Sequence, residues 1–380
     1  MKTVYLDNAA TTPMLPEVVE VMQQSMLSNF GNPSSIHQFG RKAKAAVETT
    51  RKNIAKHFNV AASEIIFTAG GTEADNLILY NAVLNLGVTR IVTSKIEHHA
   101  VLRTVQYLQK TYNITVEYVK VDENGSVVLN DLENILKKSA EKILVSLMYV
   151  NNEIGNLLPI DIVCELCKKY EAYFHSDTVQ AIGHYQIDLQ KTPIDFIAAS
   201  AHKFHGPKGV GFAYVKKGIS MQPMLYGGEQ EKGVRSSTEN VHAILGMEKA
   251  LAISCVSMQE DETYIKSLKK YFIKELIANF KDIQFNGLSA SVVENSYTIL
   301  NVRFNVEDKM MLFNLDLQGI AVSGGSACQS GANKGSHVLM TFLNEEEAAK
   351  TSVRFSFSKL TTVNELNFCI EKLKSNKSLK

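Results

Sequence analysis

No sign of charge dominates this 380-residue chain: 40 lysines and arginines face 39 aspartates and glutamates, a formal net charge of +1. So even a balance gives no reason to expect nucleic acid or a membrane surface as the main partner. Cysteines are few, five in all and widely spread. An odd, scattered set argues against a disulfide framework and fits a reducing compartment. No apolar run in the sequence approaches membrane-spanning length, and Met1–Asp7 lacks the layout of a secretory signal. A cytoplasmic protein is the expectation. Internal repeats and low-complexity stretches are also missing, and only 372–380, with its lysines and serines, reads as a loose tail. What remains is an ordinary globular composition in a chain long enough for two domains, or for one large α/β domain with an appendage.

The most informative stretch runs from Pro193 to Val215. Two apolar runs, Phe196–Ala199 and Val210–Val215, read as neighbouring buried strands. Between them lies a basic, glycine-containing segment with Lys203 flanked by His202 and His205. Partial burial lowers a lysine pKa and makes the amine a better nucleophile towards a carbonyl. On this segment alone an ordinary strand-end lysine is the simpler reading.

Upstream, Glu64–Thr68 reads as a strand, Ala69-Gly70-Gly71 as a tight turn, and Thr72–Leu86 as a helix stopped by Gly87. Strand, glycine turn and helix N-terminus together suit an anionic group such as phosphate. The turn matches neither the dinucleotide fingerprint nor a P-loop, which disfavours a nucleotide-binding Rossmann protein. Further strands are expected at Arg90–Thr93, Ile143–Met148 and Tyr173–Asp177. The alternation with helices predicts a mostly parallel sheet with helices on both faces. Ligands then gather at the carboxyl ends of strands, where Thr72, His98, Asn152, Asp177 and Lys203 all fall. Asp177 also suits the N-cap of a turn.

Some tempting pairs carry less. His98 and His99 are adjacent, so they point apart on a helix and do not suit a shared metal. Cys164 and Cys167 lie on a helix expected over Ile160–Tyr170; with no second ligand pair, core packing is the better reading and no metal is expected. Asn240–Phe280 is helix-compatible for most of its length. A smaller α/β region follows, with strands at Ile299–Phe304 and Ile320–Val322 and a helix at Lys309–Leu317. Cys328 then sits in a Gly/Ser-rich loop, 323–337, where burial as a small hydrophobe is unsuitable and nucleophilic use is favoured. Arg354, inside the apolar strand Val353–Ser356, needs an anion: either a substrate carboxylate or an internal partner.

These motifs, in this order, resemble the cysteine desulfurases of the NifS/IscS type (group I), pyridoxal phosphate (PLP) enzymes of fold type I and class V aminotransferase ancestry. The resemblance rests on Tyr5–Pro13, Asn32–Ser35, Asn151–Gly155, Ser200–Lys203 with Gly206–Gly209, and Ser326–Cys328, and it covers Tyr5 to about Leu373. It implies a large PLP-binding domain, 15–256, with a mostly parallel sheet flanked by helices. A smaller α/β domain, formed by 1–14 and 257–380, would carry the cysteine loop. It implies Lys203 as the cofactor lysine, with Ser200 and His202 beside it, and Gly71 and Thr72 on the phosphate. Asp177 would pair with the pyridine nitrogen, Gln180 would reach the ring hydroxyl, and His98 would stack on the ring and shuttle protons. Asn152 would bind ring or substrate, Asn8 and Arg354 the substrate, and Cys328 the sulfur. Thr238 would cross a homodimer interface to the partner's phosphate. The implied reaction is L-cysteine to L-alanine, with sulfur passed to iron–sulfur scaffold or tRNA-thiolation proteins. The chain departs from the family pattern at Glu229, Lys232 and Ser237, and at Gly324 and Gln329. A selenocysteine lyase, another class V PLP enzyme, and a non-catalytic PLP-binding subunit of a sulfur relay are the alternatives on the same scaffold.

Overall fold

The computed structural model describes residues 3–138, 141–325 and 335–379. Its centre is a seven-stranded sheet in the order Ile65–Thr68, Gly211–Val215, Phe196–Ser200, Tyr173–Asp177, Ile143–Ser146, Arg90–Ser94, Thr115–Val119. Only Gly211–Val215 runs antiparallel to its neighbours. The carboxyl ends at Thr68, Ser94, Ser146, Asp177 and Ser200 therefore share one edge.

The central strands, such as Phe196–Ser200 and Ile143–Ser146, are buried and mostly apolar because both faces are covered, whereas the edge strand Thr115–Val119 is only partly buried. Successive side chains alternate between two cores. Ile197, Ala199, Val145 and Val92 pack with the helices Pro16–Ser28, Gln38–His57 and Ile160–Lys169. Phe196, Ala198, Leu144 and Ile91 pack with Gly71–Leu84 and His99–Tyr112. Cys164 and Cys167 are core residues on the first of these faces, as their helix spacing predicts.

The helix Val241–Asn279 spans 39 residues. Its first part, with Ile244, Met247 and Leu251, joins the large-sheet core. Its second part, with Ile265, Leu268, Phe272 and Leu276, enters a separate core. By length and composition this helix is apolar enough to cross a membrane, an exception to the sequence expectation; here its apolar residues are divided between the two cores. The second core also contains the antiparallel strands Ile299–Arg303 and Ser352–Ser356 and the N-terminal residues Val4 and Leu6. Val4–Tyr5 pairs in parallel with Ile320–Ala321, and Asp7 bridges Ser356, so the two ends of the chain are built into one layer.

Candidate active site

At the shared strand edge lies a cleft of about 210 Å³. One wall is the turn after Thr68. The helix begins at Gly71, one residue earlier than the sequence reading, and Gly71 and Thr72 line the cleft. A Cβ at Gly71 would lie 2.5 Å from Cγ2 of Val179, so the close approach requires glycine. First-turn N–H groups have no intrahelical acceptor and favour an anion in front of them. Glu73 stiffens the turn: its Oε2 accepts the Ala69 N–H at 2.8 Å and its Oε1 accepts Arg235 Nε at 2.7 Å.

The opposite wall carries the titratable groups. Asp177 ends its strand and is buried; its Oδ1 accepts the Val179 N–H at 2.9 Å. Burial raises the Asp177 pKa, while His98 and Lys203 work against that rise. His98 caps the helix His99–Tyr112, and its Nδ1 accepts the Ala100 N–H at 3.1 Å. The neutral ring therefore carries its proton on Nε2. Burial lowers the His98 pKa and favours that neutral form.

Lys203 closes a short turn, Ala201–Lys203, just past the strand Phe196–Ser200. Its Nζ donates to the carbonyls of Ala9 and Ala10 at 2.7 and 2.8 Å. The N-terminal arm is stitched to this turn: Thr12 N and Oγ1 both donate to the His202 carbonyl at 2.9 Å. His202 Nδ1 lies 3.2 Å from Thr11 Oγ1. Burial, then Lys203 and Lys208, push the His202 pKa down to about 4. Ser200 and His202 line the cleft on either side of Ala201.

Asn152, Gln180 and Arg354 line the cleft as well. Arg354 is 1% exposed and already has an internal anion: its Nη2 pairs with Asp7 Oδ1 at 2.9 Å, and its Nη1 donates to the Asn152 carbonyl at 2.7 Å. Its Nε has no hydrogen-bond partner among the described residues. Gln180 Nε2 donates to the Ala9 carbonyl at 2.9 Å, which orients the side chain.

Two expected site residues are not in the cleft wall. Asn8 is buried behind it, its Nδ2 donating to the Ser356 carbonyl at 2.8 Å, while its Oδ1 is unpartnered among the described residues. The fold turns Asn8 into a brace between the arm and Ser352–Ser356. Thr238 is exposed beside Thr68, Ala69 and Arg235, away from the cleft of its own chain. Cys328 lies outside the described residues. The sequence reading missed Ala9, Ala10 and Asp75. Asp75 is buried in the cleft wall with its Oδ1 3.3 Å from His175 Nε2. Asp75 follows Thr72 by three residues, a helical spacing that places both on one face and was available in the sequence.

A helix N-terminus for a phosphate, a buried carboxyl, an imidazole and a primary amine at one strand edge make a donor set that fits PLP. The glycine-tight approach at Gly71 leaves the cradle open for it. The family model for aminotransferase class V matches residues 4–368. The chain belongs to this family. It is 41% identical over 377 residues to a protein of Dictyoglomus turgidum named cysteine desulfurase IscS, covering 98% of this chain and 94% of that one. Among solved structures it resembles a NifS-like protein from Rickettsia africae, with a TM-score of 0.87, 34% identity and coverage of 98% and 99%. It also resembles SspA in complex with cysteine, with a TM-score of 0.82, 29% identity and coverage of 95% and 100%. The motif resemblance thus extends over nearly the whole chain, and the family is PLP-dependent.

Proposed function

We propose that this chain removes sulfur from L-cysteine, releases L-alanine and holds the sulfur on Cys328 as a persulfide. The protein is a PLP-dependent cysteine desulfurase. One observation carries the reading: Lys203, Asp177, His98 and Arg354 converge in one cleft of a chain 41% identical, over 98% of its length, to a named cysteine desulfurase.

When bound, PLP supplies a carbonyl that amines condense with and a ring that draws electrons from the substrate Cα. Gly71 and Thr72 would hold its phosphate, Asp177 its ring nitrogen, and Ser200, His202, Gln180 and Asn152 its remaining polar edge. His98 would lie against its face. Lys203 would hold the cofactor through its amine, and that amine, when free, would take the Cα proton. The carbonyls of Ala9 and Ala10 keep that amine in place. Arg354, steadied by Asp7 and lining the cleft, would hold the substrate carboxylate. His98, with Nδ1 engaged by the Ala100 N–H and its neutral-form proton on Nε2, would act as a proton donor in the cleft. The Cys328 thiolate attacks the substrate sulfur. An S–S bond forms, and the Cβ–S bond breaks with its electron pair left on Cβ. Cβ takes up a proton and becomes the methyl group of alanine.

The sulfur then passes to an acceptor protein, an iron–sulfur scaffold or a tRNA-thiolation protein; the IscS name of the relatives supports the former. We place the enzyme in the cytoplasm as a homodimer, with Thr238 reaching the partner's phosphate site. Its surface position outside the cleft of its own chain is compatible with that role. The divided helix Val241–Asn279 supports domains of 15–256 and of 1–14 with 257–380.

The test is a paired assay of wild type and Cys328→Ala. Both are expected to show the visible absorption of lysine-bound PLP, and only wild type to release sulfide and alanine from L-cysteine. Equal turnover by Cys328→Ala would remove the persulfide role and favour a lyase. Coloured wild type without any turnover would favour a docking subunit.

A further inference from the structure

Glu153 is fully buried, at 0% exposure, yet it does not line the cleft. Its backbone is fixed: its N–H donates to Asn151 Oδ1 at 2.9 Å, and its carbonyl accepts from Asn301 Nδ2 at 3.0 Å. Its carboxylate sits where two distant pieces of chain meet. From one side Ser336 donates its hydroxyl to Glu153 Oε2. The same hydroxyl oxygen accepts the Leu339 N–H at 3.1 Å, which ties Ser336 to the next helical turn. From the other side comes Gly325. A Cβ there would lie 3.1 Å from Glu153 Oε2 and 3.4 Å from Ser336 Cβ, and its φ of +145° suits glycine.

His337 completes the arrangement. Its Nε2 lies 2.9 Å from the Glu97 carbonyl, which can only accept, so Nε2 carries a proton. Its Nδ1 faces Glu153 Oε1 at 3.8 Å, and neither atom has a hydrogen-bond partner among the described residues. The ring also packs on His99, with centroids 4.5 Å apart. A buried carboxylate with so few partners is costly, and substrate contact does not account for it. Gly325 and Ser336 bracket the stretch of chain that contains Cys328.

We propose that Glu153 is a positioning residue for sulfur transfer: by hydrogen-bonding Ser336 and packing closely against Gly325, it fixes the two described ends between which Cys328 lies in the sequence. Cys328 lies between these two ends in the sequence, so their placement sets the points from which it must reach the substrate sulfur, and catalysis is sensitive to such placement. The inference rests on Cys328 as the sulfur acceptor.

The test uses the PLP-loaded enzyme with L-cysteine, and compares Ser336→Ala, Glu153→Ala and Glu153→Gln with wild type and Cys328→Ala. Three quantities are read: PLP content, the L-cysteine concentration that half-saturates the change in visible absorption, and the single-turnover rate of persulfide formation on Cys328, measured by alkylation and mass spectrometry. Ser336→Ala and Glu153→Ala are expected to keep the first two and to lose about tenfold or more in the third, since misplacement by an ångström costs that much. Glu153→Gln still accepts the Ser336 hydroxyl and is expected to recover most of the rate. Wild-type persulfide rates in Ser336→Ala and Glu153→Ala would overturn the proposal. So would parallel losses of PLP content and L-cysteine binding in Ser336→Ala, which mark a purely structural role. Full sulfide release by Cys328→Ala would sink the underlying reading separately, whatever the other variants do.

Discussion

Arg51 and Glu231 meet in a two-pronged buried ion pair, with Nη1 and Nη2 at 2.6 and 2.8 Å from the two carboxylate oxygens. Arg51 also donates to the Ile65 carbonyl at 2.9 Å and lies 4.4 Å over the Phe67 ring, while the Phe67 N–H donates to Glu231 at 2.8 Å. Burial works against the charge on Arg51; Glu231, then Glu48, more than restore it. The pair anchors a strained turn: Glu231 and Lys232 have φ of 46° and 59°. Of the two acids near the family departures, Glu229 is exposed and Glu231 is the buried anchor.

Glu231→Ala leaves Arg51 buried without its main partner and is expected to cost about 3 kcal/mol or more. Arg51→Met combined with Glu231→Leu removes both charges and is expected to cost less than Glu231→Ala alone. Denaturant midpoints of the holoenzyme check both; equal costs would show that the ion pair, not the stranded charge, sets the stability.

Gly71→Ala places a Cβ 2.5 Å from Val179 Cγ2, in the cleft wall proposed to hold the phosphate. Overpacking of this kind costs about 1–3 kcal/mol. The strain falls on the cradle, so the PLP dissociation constant is expected to rise about tenfold, equivalent to ~1.4 kcal/mol. Spectroscopic titration of the apoenzyme with PLP measures it. An unchanged constant would place the phosphate elsewhere.

Asp177→Asn keeps the shape and the hydrogen-bonding reach but removes the negative charge. If Asp177 supports a protonated ring nitrogen, kcat/KM for L-cysteine is expected to fall about 100-fold, ~2.7 kcal/mol of transition-state stabilisation. PLP content should stay near stoichiometric. Steady-state kinetics with a PLP assay separates the two; full activity in Asp177→Asn would exclude the charge-pairing role.

His175 is fully buried, and burial pushes its pKa down to about 3, below the ordinary 6.5. A histidine depressed in the folded state stabilises fully above pH 6.5. That stability is lost as pH falls towards 3, because only the unfolded chain takes up the proton. The stability gap between wild type and His175→Asn is therefore expected to narrow on acidification, by at most about 1.4 kcal/mol per pH unit below 6.5. Denaturant midpoints at pH 7.5, 6 and 5 test this. A gap that stays constant would show that His175 is protonated in the fold.

Much was local enough to be read directly. Apolar runs with glycine turns marked the strands of the large sheet, and the alternation with helices implied its largely parallel order. Strand-end logic then put Thr72, His98, Asn152, Asp177 and Lys203 on one edge, where the structure holds them in one cleft. These features follow from neighbours within a few residues, and such neighbours are visible in a sequence.

The partners of those residues were decided by tertiary contact alone. Nothing near Arg354 shows that its anion is Asp7, 347 residues away. Nothing near Lys203 shows that its amine rests on Ala9 and Ala10. Asn8 faces a backbone carbonyl rather than the cleft because the arm bridges Asp7 to Ser356. Gly325, Ser336 and Glu153 meet only after two sheets have packed. Periodicity determines which face a side chain takes, but a buried charge or amide is matched by whatever the fold brings within 3 Å, and that pairing exists only once the layers are assembled.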